Sequence, residues 1–69
     1  MKYIVMELQD NGSTVGNQVW AYDSVNEAQS KYHSILAVAA TSNVPCHSAV
    51  LLNSEGQYID SKPFKHGQE

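Results

Sequence analysis

The chain has no arginine. Its four cations are all lysine, and seven acidic residues leave a formal net charge of −3. Arginine supplies the rigid fork that reads phosphates and base edges, so its absence disfavours a nucleic-acid partner. The acidic excess is too thin and scattered to imitate a phosphate backbone. Cysteine occurs once, as Cys46, which excludes an internal disulfide, and no Cys/His spacing resembles a structural zinc site. No apolar run approaches the roughly 20 residues needed to cross a bilayer, and no basic, apolar leader opens the chain. With one thiol and no export signal, the expected compartment is the cytoplasm, and no membrane is expected as a partner. Asn11-Gly12-Ser13 has the form of a glycosylation acceptor but reads as a turn in that context.

Chemistry-bearing motifs are equally scarce. GxSxG, GxGxxG and P-loop patterns are absent, and no carboxylates pair. The chain is therefore read as non-enzymatic and without a cofactor or metal. At 69 residues it forms one domain, 1–66, with 67–69 as a frayed tail. A chain this short buries only about 60% of its unfolded surface, and small folds usually add disulfides, metals or oligomerisation. Oligomerisation is the route left open.

What is present is a patterned fold. Lys2 to Gln9 alternates as a strand, with Ile4, Met6 and Leu8 on one face and Tyr3, Val5, Glu7 and Gln9 on the other. Asp10-Asn11-Gly12-Ser13 supplies a hairpin turn. Thr14 to Tyr22 returns with Val15, Val19 and Ala21 on one side and Gln18, Trp20 and Tyr22 on the other. Ser24 to Ser42 is the segment with full helical periodicity. Ser24 and Glu27 stand at capping-box spacing, and Asn43 with Pro45 sets the end. Cys46 to Asn53 and Gln57 to about Lys65 read as two more strands, the last weakened by Pro63. The predicted class is α+β: β-β-α-β-β, a four-stranded antiparallel sheet with one helix packed on one face.

Helical spacing sets Ala28, Tyr32, Ile35, Leu36 and Ala39 toward the core. The expected partners are Ile4, Met6, Leu8, Val15 and Val19. That choice leaves Tyr3, Val5, Trp20 and Tyr22 on the far face, an aromatic patch that reads as an interface or ligand groove. A bulge at Gly16 would reverse the parity and carry Trp20 and Tyr22 inward. Ser30, Ser34, Ala37 and Thr41 form a stripe of small residues on the helix, suited to close approach by another subunit or to simple exposure. Patch and stripe together predict a homodimer or larger assembly.

His33, His47 and His66 lack metal-ligand spacing. Cys46 and His47 are strand neighbours and point to opposite faces, so they form no thiolate pair. Lys31-Tyr32-His33 is the densest polar-aromatic cluster. Consecutive helical residues project about 100° apart, so Tyr32 faces the core while Lys31 and His33 flank it.

The run Ala21-Tyr22-Asp23, Glu27-Ala28, Ser30 to His33, Pro45, His47, Val50 and Glu55-Gly56 resembles small proteins of phages and prophages of Firmicutes, over about Met1 to His66. The resemblance implies a bacterial-host cytoplasm and a counter-defence role. Some such proteins block a host protein directly, as anti-CRISPR-like factors do. Others are oligomeric sponges that hold a nucleotide immune signal in an intersubunit pocket. Bases stack on rings and lysine meets phosphate, so the expected ligand is a cyclic nucleotide or an ADP-ribose derivative. The candidate binding residues are Trp20, Tyr22, Lys31, His33 and His47.

Overall fold

The computed structural model describes residues 2–66; the expected C-terminal fray at 67–69 lies outside them. Among these residues the elements are β1 (Tyr3–Asp10), β2 (Val15–Tyr22), α1 (Val25–Ala39), β3 (Cys46–Asn53) and β4 (Tyr58–Lys65). The strands form an antiparallel sheet in the order β2-β1-β3-β4, covered on one face by α1. This is the predicted α+β class.

Asparagine side chains build both hairpins. Asn11 Oδ1 accepts from the amides of Ser13 and Thr14, each at 3.0 Å, and Gly12 takes the left-handed φ of 95° that the turn requires. Asn53 Oδ1 does the same for Glu55 and Gln57 at 2.9 and 3.0 Å, with Gly56 at φ 81°. The helix is capped by Ser24, whose hydroxyl accepts from the Asn26 amide at 3.2 Å. That donor lies one residue before the Glu27 amide of a capping box. α1 also ends three residues short of Ser42. The amides of Thr41 and Ser42 turn back to the carbonyls of Val38 and Ala39, the tightened last turn common at helix ends.

The helix covers the opposite face of the sheet from the expected one. The core is Val5, Ala49 and Leu51 from the sheet with Ala28, Tyr32, Ile35 and Ala39 from α1. Tyr3, Trp20, Tyr22 and Leu36 pack around it. Ile4, Met6 and Leu8 lie on the uncovered face, where Val15 and Val19 remain 59% and 54% exposed. No bulge at Gly16 causes the reversal, because Gly16 pairs with Gln9 in an unbroken register. The aromatic side wins physically. Aromatic rings bury about 150–250 Å² each, and alanines at 28, 39 and 49, all fully buried, let the helix approach the sheet closely. The register irregularity falls instead between Leu51 and Leu52, opposite β4.

Tyr32 is buried, and burial pushes its phenol above the usual 10.0, with the Asp60 charge adding to the rise. Among the described residues no helix is long and apolar enough to cross a membrane.

Candidate functional site

A cleft of about 320 Å³ runs between the first turns of α1 and edge strand β2, lined by Tyr22, Glu27, Ser30, Lys31 and Ser34. Glu27, Ser30, Lys31 and Ser34 recur at i, i+3, i+4 and i+7, so helical geometry puts all four on one face. Half of the small-residue stripe is thus the wall of this cleft. Tyr22 pairs with Tyr3 at the end of β1, which anchors its backbone while one side of the ring meets the groove. Beside it the Lys31 ammonium stands 4.1 Å from the centroid of the Trp20 ring. Such a cation–π contact is worth about 0.5–1 kcal/mol at a partly exposed site. It also holds a cation against an aromatic face at the mouth of the cleft.

Three of the five expected binding residues, Trp20, Tyr22 and Lys31, therefore meet. His33 does not join them: it is exposed on α1, its ring edge-on to Tyr32 at 5.4 Å. His47 is placed far from the cleft and is only 2% exposed, on the inner face of β3 near the C-terminal end of α1. Cys46 points the other way, as strand alternation requires.

Around His47 lies a constellation that sequence reasoning missed. Its Nδ1 is 2.9 Å from Ser42 Oγ and its Nε2 is 2.5 Å from Glu7 Oε2. Gln9 Nε2 donates to the same carboxylate oxygen at 3.1 Å. Serine, histidine and glutamate stand in the order of a hydrolytic relay. The surroundings do not suit that chemistry. Ser42 follows the C-terminal end of α1, where carbonyl dipoles disfavour an oxyanion, and its own amide is directed to Ala39 O at 3.4 Å. What the cluster does is tie the helix end to the sheet. The signal in the sequence was Glu7 itself, a carboxylate sharing a strand face with Val5. Its partner lies on another strand and could not be found without the β1–β3 register.

His66 completes the helix end, its Nε2 donating to Ala39 O at 2.7 Å, with its ring stacked on Phe64. Among the described residues no group of His, Cys, Asp and Glu side chains could hold a metal ion.

The fold and cleft define a two-layer α+β domain with an aromatic–cationic groove at one sheet edge. Compared with protein-family models, curated proteins and solved structures, the chain matches none.

Proposed function

We propose that this chain is a non-enzymatic phage counter-defence protein that sequesters a small nucleotide signal, a cyclic dinucleotide or ADP-ribose derivative, in the α1–β2 cleft. The observation that carries the reading is the Lys31 ammonium over the Trp20 ring beside Tyr22. A base entering the groove replaces the lysine on the indole face, and the freed ammonium meets phosphate. Ser30 offers its hydroxyl to ribose, while Ser34, which donates to the Lys31 carbonyl at 2.9 Å, offers its oxygen as an acceptor. Glu27 opposes a fully anionic ligand, so the nucleobase and sugar end belongs nearest to it. Neither His33 nor His47 has a part in this site.

The test is thermal unfolding with a panel of cyclic dinucleotides and ADP-ribose derivatives, together with Trp20 fluorescence. A ligand at 100 times Kd adds about 2.7 kcal/mol, which for a domain of this size raises the midpoint by about 10 °C or more. Lys31→Ala should remove the shift. A panel giving no shift at saturation sinks the reading.

The alternative is an anti-CRISPR-like inhibitor that docks a host defence protein through the exposed sheet face. It draws on the exposure of Val15 and Val19. Recovery of one defined host protein in a stoichiometric complex, with no small molecule bound, would favour it.

A further inference from the structure

We infer that the uncovered face of the sheet is the interface of a symmetric homodimer, two copies stacked sheet against sheet with their helices outward. The face carries Ile4, Met6 and Leu8 from β1, flanked by Val19 and Val50, with Leu52 beyond. Charge is confined to its two ends. Lys2 pairs with Asp23 at one end, and Asp10 lies with Cys46 and Lys65 at the other. The middle is uncharged.

The covered side explains why this face needs a partner. Three of the seven buried apolar residues are alanines, so the core under α1 is thin for a free-standing domain. Seven large aliphatic side chains, Ile4, Met6, Leu8, Val15, Val19, Val50 and Leu52, stand on the side of the sheet that α1 does not cover. A sheet that faces water should be mostly polar there, whereas Asn17, Ser48 and Ser61 on this face are outnumbered by its aliphatics.

The dimensions suit a second copy. Four strands about 4.8 Å apart and eight residues long at about 3.3 Å each make a face of roughly 500 Å² in projection. Side-chain relief makes the accessible area larger, approaching the roughly 800 Å² per partner of a standard interface. Packed sheets stand about 10 Å apart with strands near 30°, a spacing that leucine, methionine and valine side chains fill. Each end of the face carries one lysine and one aspartate, so a two-fold pairing can set opposite charges together whichever ends meet. The α1–β2 cleft lies on the far side of the sheet, so each copy keeps a whole cleft and no site is shared between subunits. The inference does not depend on what the cleft binds.

The test is light scattering and sedimentation on the full chain without ligand, over roughly 1–100 µM. The wild type should be a dimer. Met6→Lys and Val19→Lys should each weaken the dimer at least tenfold. Val19 is already more than half exposed, so its substitution should leave the far-UV spectrum of the separated chains intact even if Met6→Lys unfolds. Ala37→Lys, on the exposed side of α1, should leave the dimer unchanged. A wild-type monomer at 100 µM overturns the inference. So does a dimer that survives Val19→Lys and is broken by Ala37→Lys, which would put the contact on the helix. Loss of the ligand shift with the dimer intact would count against the cleft alone.

Discussion

His47→Ala should be the most damaging single substitution at the helix end. The ring is 2% exposed and joins Ser42 to Glu7, whose side chain is 13% exposed. Removing the ring takes away its hydrogen bonds to Glu7 and Ser42, which costs about 1–3 kcal/mol when a buried group is left unpaired, and it also leaves a cavity. Glu7 keeps some access to water and its bond from Gln9, so the two effects together come to about 3 kcal/mol. Domains of this size have roughly 3–10 kcal/mol in total. The variant should therefore be close to unfolding at 37 °C. Replacing both groups by leucine should restore much of the loss, since a buried polar pair is often exchangeable for apolar packing at no cost. Urea unfolding of the wild type, His47→Ala, Glu7→Leu, His47→Leu and the double leucine variant at pH 7, followed by far-UV circular dichroism, measures all five. The reasoning fails if His47→Ala lies within about 0.5 kcal/mol of wild type. It fails equally if the double leucine variant is as unstable as the sum of its parts.

Asp23 should titrate below the usual 3.8, because the hydrogen bond from Lys2 and then its charge hold the carboxylate ionised. A depressed folded value means that the contribution is present above the unfolded pKa and disappears as pH falls through the folded one. An NMR titration should give a midpoint under 3.8 that returns toward it in Lys2→Met; identical midpoints would refute the pairing. Ser24→Ala should cost about 1 kcal/mol through loss of the cap on α1, lowering the unfolding midpoint by about 4–8 °C, and Ser24→Asp should not.

Element order was legible because each boundary has a local cause: the asparagine-glycine turns, the Ser24 cap, and Pro45 after the helix. The side of the sheet that α1 covers was not. Counting aliphatics favours Ile4, Met6 and Leu8, and that count omits ring area and the close approach that Ala49 permits. Both faces are apolar enough to be a core, which is itself the useful information. The cleft is partly legible, since ring and ammonium chemistry singles out Trp20, Tyr22 and Lys31 in the sequence, and the fold brings them together. His47, singled out by the same chemistry, lies buried between Ser42 and Glu7, away from the cleft. Its environment depends on Glu7 and Ser42, residues brought together only by pairing β1 with β3 and ending the helix early.

The strand order β2-β1-β3-β4 also sets the sequence of events in folding. Each outer strand closes on its neighbour through a short turn, so both hairpins can form within microseconds. The central seam is different. It pairs Tyr3 with Asn53, about fifty positions later in the chain, and closes only when α1 has doubled back across the sheet. Loop closure over that distance comes before any contact rewards it. The seam between β1 and β3, more than either hairpin, should hold the rate-limiting step, with Val5 and Leu51 at its centre.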